Sequence, residues 1–159
     1  MQLKTPEKLR LPIKLLIAGE LVPGEGECQE IMDPANGRII ARVPEASAAQ
    51  VDASVSAATR AFDGWSRTTP QQRSQALLKL ADAVHAARDD LASLESWNCG
   101  KPHARVVADE IPATVDVLRF FAGAARCLSG PLAGEYVPGF TSMIPRDPVG
   151  VVAPVSPWD

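Results

Sequence analysis

The sequence predicts an α/β protein in which short strands flank a helical middle. Two observations carry this reading. Between Glu45 and Gly130 the prolines are Pro70, Pro102 and Pro112, whereas Pro131, Pro138, Pro145, Pro148, Pro154 and Pro157 crowd the end. Helix interiors tolerate few prolines, because the ring removes an amide donor and clashes with the preceding turn. In that same middle, apolar residues recur at spacings of three and four, and the flanks hold short apolar runs separated by turn residues.

Residues 1–13 carry Lys4, Lys8, Arg10, Pro6 and Pro12 and are expected to be a disordered, solvated end. They hold no small-residue cleavage site of the kind a signal peptide needs. Leu15–Ile17 and Glu20–Val22 then read as strands around an Ala18-Gly19 turn. Glu30–Met32 and 38–43 flank Asp33-Pro34-Ala35-Asn36-Gly37, where Pro suits the second turn position and Asn-Gly tolerates positive φ. Ser47 opens the first helix, and Gln50 completes a capping box. Val51, Val55, Ala58 and Phe62 form its apolar stripe, with Gly64 placed to end it.

The same start signal returns at Thr69-Pro70-Gln71-Gln72, ahead of a stripe of Leu77, Leu80, Ala81, Val84 and Leu91. Asp89-Asp90 is expected to break that helix and cap a continuation to Asn98, which Gly100 and Pro102 stop. Trp65 and Trp97 read as core anchors at helix ends. A third helix is expected from Ala104 to Cys127, lined by Val107, Ile111, Val115, Leu118, Ala122 and Ala125, kinked at Pro112 and ended by Ser129-Gly130-Pro131. Tyr136-Val137, Thr141–Ile144 and Val149–Ala153 read as three closing strands.

With 159 residues, 46% of them hydrophobic, the chain has the size of one globular domain. Its 16 basic against 19 acidic residues give a net charge of −3, which argues against nucleic acid and against an anionic membrane surface. No apolar run approaches the roughly 20 residues of a membrane span. Cys28, Cys99 and Cys127 form no Cys-x-x-Cys pair and no zinc spacing, so a reduced, cytoplasmic protein is expected.

Motifs for familiar chemistry are missing. Gly24-x-Gly26 meets Gln29 where a dinucleotide fingerprint has its third glycine. Asp89-Asp90 and Asp109-Glu110 are adjacent on helices, so they do not face one another and read as solvated surface. Cys99 has no matching histidine base, because His85 and His103 read as helix surface and loop. It and Cys127 are expected to be structural.

Three strings are more informative. These are Asp33-Pro34-Ala35-Asn36-Gly37, Asn98-Cys99-Gly100-Lys101-Pro102, and Arg146-Asp147-Pro148-Val149-Gly150-Val151-Val152-Ala153-Pro154-Val155-Ser156-Pro157-Trp158-Asp159. In this order they resemble the N-terminal part of the NAD(P)-dependent aldehyde dehydrogenase superfamily: its Asn-Pro-Ala-Thr-Gly turn, its Gly-Lys-Pro helix stop and its entry into the nucleotide fold. Asp109–Ala113, Phe120–Leu128 and Ala133–Tyr136 resemble most the gamma-aminobutyraldehyde branch, with betaine aldehyde dehydrogenases next.

The resemblance implies an organisation. Residues 14–133 would be the N-terminal part of the NAD-binding domain, 134–150 an oligomerisation hairpin, and 151–159 the first strand of a Rossmann-like fold. It also implies an NAD-dependent oxidation of a small aminoaldehyde such as 4-aminobutanal, as in putrescine degradation, by a homotetramer or homodimer joined through Gly134–Gly150. The family's nucleophilic Cys sits in a Phe-x-x-x-Gly-Gln-x-Cys context, and its glutamate base in another; neither context is in this sequence. The chain is therefore expected to be a truncated piece, inactive alone.

Position by position, Ser156, Pro157 and Trp158 match the strand end that lines the NAD site. That place suits the rule that nucleotides sit beyond the carboxyl ends of parallel strands. Asp159 stands where the family has an Asn that donates to the oxyanion, although an ionised carboxylate has no donor. Asn98 stands where many relatives have Asp near a monovalent cation, and no metal ligand is assigned. The competing reading is a non-catalytic helical module that co-assembles with a partner.

Overall fold

The computed structural model describes residues 13–127 and 133–156. Among these, three two-stranded antiparallel sheets accompany five α-helices and one π-helical turn. β1 (Leu15–Ile17) and β2 (Glu20–Val22) join through Ala18 and Gly19, both at positive φ (54° and 85°). That geometry matches the right-handed twist of a tight hairpin. β3 (Cys28–Met32) pairs with β4 (Ile39–Pro44), with a register shift between Ile31 and Met32.

Their connection is an Asx turn in which Asp33 Oδ1 accepts from the Ala35 amide at 2.8 Å and Asp33 Oδ2 from Asn36 Nδ2 at 2.9 Å. Gly24 and Gly26 serve close backbone approach rather than a ligand. A Cβ on Gly24 would stand 2.5 Å from the Glu45 carbonyl oxygen, and the Gly26 amide donates to that oxygen at 2.8 Å.

α1 (Ala48–Trp65) and α2 (Pro70–Ala86) each begin with the expected capping box, at Ser47/Gln50 and Thr69/Gln72. α1 runs through Gly64 and closes with Ser66, whose amide donates to the Phe62 carbonyl. α3 (Arg88–Cys99) starts at Ala87, with Asp89 and Asp90 in its first turn, and ends on Gly100 at φ 77°. The third expected helix is divided. α4 (His103–Arg105) passes into a π-helical turn, Val106–Glu110, before α5 (Ile111–Ala124).

The Ile111 amide donates to the carbonyl of Val106, five residues back. Pro112 has no amide to give, and the wider turn just before it absorbs the ring that a regular helix would reject. The expected kink is thus a π turn. The expected stop at Ser129-Gly130-Pro131 lies outside the described residues, as do residues 1–12.

The core lies where α2, α3 and α5 meet. Ala81 of α2 and Ala122 of α5 are fully buried, and such small side chains let two helix axes approach closely. Ala92, Trp97, Val106 and Val115 complete it. Two sequence expectations fail. Trp65 is 52% exposed against 6% for Trp97, and Val51 and Val55 of the α1 stripe are exposed. Among the described residues α1 packs chiefly on β1, and its apolar stripe stays about half open to solvent. Leu80 and Leu91 are exposed as well.

β5 (Ala133–Val137) and β6 (Phe140–Met143) form the expected hairpin around Gly139, φ 82°. The described residues of Val149–Ser156 carry no strand, because a parallel strand needs ladder neighbours and none lies beside them. Among the described residues no helix is long and apolar enough to cross a membrane.

Candidate functional site

The first two strings meet. A Cβ on Gly100 would stand 3.0 Å from Pro34 Cγ, so the β3–β4 turn rests on the C-terminal end of α3. Gly is needed at 100 for its left-handed backbone and again for that contact. Lys101 follows, and its Nζ donates to Glu95 Oε1 at 2.9 Å and to Glu110 Oε2 at 3.3 Å. One ammonium therefore ties the end of α3 to the π turn. The hydrogen bond from Lys101 holds the Glu95 carboxyl below its ordinary value, while the two carboxylates, Glu95 first, hold the Lys101 ammonium protonated well above its own. Glu95 was not singled out from sequence, and Glu110 was read there only as solvated surface; their spacing to Lys101 of six and nine residues matches no simple helical rule.

Cys99, expected to be structural, is exposed, as is Cys127. The Cys99 thiol donates to the Glu95 carbonyl at 3.1 Å, and partial desolvation, followed by the Glu95 side chain, pushes its pKa up. A thiol that resists ionisation is a poor nucleophile. Asn98 lines an open cleft with Gln29–Met32 and Glu45. Among the described residues no group of three or more His, Cys, Asp or Glu side chains could hold a metal ion.

The third string lies elsewhere. Arg146, Asp147, Pro148 and Gly150 line a cleft of about 610 Å³ opposite Phe62, Trp65, Ser66 and Arg73, at the corner between α1 and α2. Beyond it Ser156 is exposed, and Pro157, Trp158 and Asp159 lie outside the described residues. The Ser156 hydroxyl is a donor and an acceptor, and Val155 beside it is 95% exposed.

Gln50, read from sequence only as the partner of the Ser47 cap, is buried in α1. Its Nε2 donates to the Pro23 carbonyl at 2.8 Å, while its Oε1 accepts from the amides of Glu25 at 3.0 Å and Ser47 at 3.1 Å. The capping-box signal located it, but its reach to a loop far back in the chain leaves no local mark.

The model of the aldehyde dehydrogenase family matches residues 21–159. A probable aldehyde dehydrogenase of Streptomyces coelicolor is 39% identical over 144 residues, 90% of this chain and 28% of that protein. The crystal structure of gamma-glutamyl-gamma-aminobutyraldehyde dehydrogenase from Burkholderia cenocepacia superposes with a TM-score of 0.75 at 29% identity, covering 80% of this chain and 27% of that one. The P. syringae indole-3-acetaldehyde dehydrogenase AldA, solved with NAD+ and IAA, superposes with a TM-score of 0.77 at 28% identity, covering 84% and 27%. This chain thus spans under a third of the length of the relatives it matches. The turn, the helix stop and the proline-rich run stand in one order within one shared fold, and the chain belongs to the aldehyde dehydrogenase family.

Proposed function

We propose that this chain forms part of an NAD-dependent enzyme that oxidises a small ω-aminoaldehyde, of the 4-aminobutanal type, to its acid in putrescine degradation. The observation that carries this reading is the family match over residues 21–159, with the Burkholderia gamma-glutamyl-gamma-aminobutyraldehyde dehydrogenase among the similar structures. Ser156, Pro157 and Trp158 contribute one edge of the NAD site, and NAD when bound supplies the hydride acceptor. The enzyme is cytoplasmic and assembles as a homotetramer or homodimer through the Gly134–Gly150 hairpin, whose strands are exposed. An exposed two-stranded edge readily pairs with a second chain.

Asp159 matches, by sequence position alone, the family's oxyanion Asn. Ionised, it offers no donor and repels an oxyanion, whereas an amide there stabilises one, a difference of about 2.7–4 kcal/mol for one donor. The test is NADH formation when 4-aminobutanal, betaine aldehyde and benzaldehyde are offered in turn to the enzyme that carries this segment. The highest kcat/KM for 4-aminobutanal supports the reading, and a higher value for another aldehyde rejects the substrate class. Asp159→Asn is expected to raise kcat. The 159-residue chain alone is expected to give no turnover, because no cysteine with a paired base is among its described residues.

The second reading, a non-catalytic module that co-assembles with a partner, draws on the apolar side chains left in solvent: Leu16, Val51, Val55, Leu80 and Phe120 are all exposed. Absence of turnover with all three aldehydes, together with a stable complex captured from the native source, would favour it.

A further inference from the structure

The helical run from His103 to Ala124 carries one wide turn, and its proline does not by itself choose that turn. A proline ring excludes the regular repeat, because it brings no amide and collides with the turn before it. It fits equally well at the start of a fresh helix, where no amide is needed. Pro112 stands in the first turn of α5, so a break at Ile111 would suit the ring as well as the π turn does. The helix nevertheless stays continuous, with the Ile111 amide on the Val106 carbonyl.

Glu110, which closes the π turn, is held at two places. Its carbonyl accepts from the Thr114 hydroxyl at 2.9 Å, and its carboxylate accepts from the Lys101 ammonium at 3.3 Å. The same ammonium donates to Glu95 of α3 at 2.9 Å. The backbone around Lys101 has little freedom. Gly100 before it is left-handed, φ 77°, and a residue followed by proline is restricted to extended geometry. The Pro102 carbonyl then accepts the amides of Arg105 at 2.8 Å and Val106 at 3.2 Å. The Lys101 and Glu95 side chains are 35% and 33% exposed, and one cation shared by two carboxylates is a network rather than an isolated surface pair. The Arg105–Asp109 pair, at 3.8 Å, lies inside the segment and joins it to no other element.

We propose that Lys101 is a register lock for this helix: by bridging Glu95 to Glu110 it selects the π turn at Val106–Glu110, and it does so independently of Pro112. A regular turn would change the phase between Lys101 and Glu110 by about 100° and part the two groups. The helix is thus a two-register element, and α3 sets the register through one cation. The lock stands apart from the reading of coenzyme and substrate.

The register is read in the full chain from the scalar coupling across the hydrogen bond of the Ile111 amide. That coupling reports the Val106 carbonyl in the π turn and the Val107 carbonyl in a regular turn. Pro112→Ala should leave Ile111 on Val106, and Pro112→Ala combined with Lys101→Met should move it to Val107. Lys101→Met alone keeps the length of the stem without its charge, and should speed amide exchange at Glu110 and Ile111 about fivefold while β3 and β4 exchange as before. Lys101→Arg keeps the charge and should keep the slow exchange.

Ile111 bonded to Val107 in Pro112→Ala alone would show that the ring sets the turn, and overturns the proposal. So does a double variant that stays on Val106. Exchange in Lys101→Met within about twofold of wild type, or equal acceleration in Lys101→Arg, overturns it as well.

Discussion

α1 and α2 carry the same start signal and have different fates. Each opens with a hydroxyl cap reciprocated by glutamine three residues on. α2 then packs along α5, burying Ser74 and Ala81, whereas α1 is fastened by one buried side chain, Gln50, and leaves Val51 and Val55 in solvent. A cap decides where a helix begins, because its hydrogen bonds close within one turn. Packing decides how firmly the helix is held, because most helical stability in proteins comes from the apolar face it buries. α1 should accordingly open locally at a lower free energy than α2.

Substitutions can break or sharpen that contrast. The largest expected effect is Trp97→Ala, which empties the core and should cost about 3–5 kcal/mol in urea unfolding. Trp65→Ala, at the exposed end of α1, should stay within about 0.5 kcal/mol, and equal losses would break the contrast between the two regions. Gln50→Ala strands the Pro23 carbonyl and the Glu25 amide, with an expected cost of about 1–3 kcal/mol seen as faster amide exchange through α1.

Cap removal is the finer probe. Ser47→Ala and Thr69→Ala should each cost about 1 kcal/mol. The first should appear as local exchange in α1, the second in the cooperative melt of the α2–α5 pair. Replacing Val51 and Val55 with serine should change stability by less than about 0.5 kcal/mol each, since little apolar surface leaves the interior.

The smallest effect concerns pH. The Lys101 ammonium depresses the Glu95 pKa, so the folded value lies below the unfolded one. The stabilisation is complete above the unfolded value and is lost as pH falls through the folded one. Lys101→Met should flatten that acid-side slope in a titration of melting temperature.

Local chemistry was legible in the sequence and long-range chemistry was not. Ser47, Thr69, Pro70, the Asp33–Gly37 turn and Gly100 each act within a few residues, and each stands where expected. Trp65 and Trp97 carry identical side chains at two helix ends, and only the tertiary neighbours send one inside. The Val51-Val55 spacing records amphipathicity but not whether a partner surface is present. The run from Val149 has the composition of a buried strand without a ladder beside it here. At the candidate site, Pro34 and Gly100 were recognisable as motifs, while their contact and the Lys101 bridge to two glutamates depend on the fold.

The π turn before Pro112 has a consequence for how this helix tolerates length changes. It counts as one extra residue in the helical repeat, so residues on either side run in different angular phase, by about 100°. Val106 reaches the same buried side as Val115 only because the Ile111 amide is bonded five residues back. Deleting one residue from 107–109 would restore the ordinary repeat and rotate everything upstream, Lys101 included, away from its Glu110 partner. Inserting a residue elsewhere in α5 would impose a second phase slip, on the face that α2 already covers. The helix thus has one place where an insertion is accommodated, and that place is already filled.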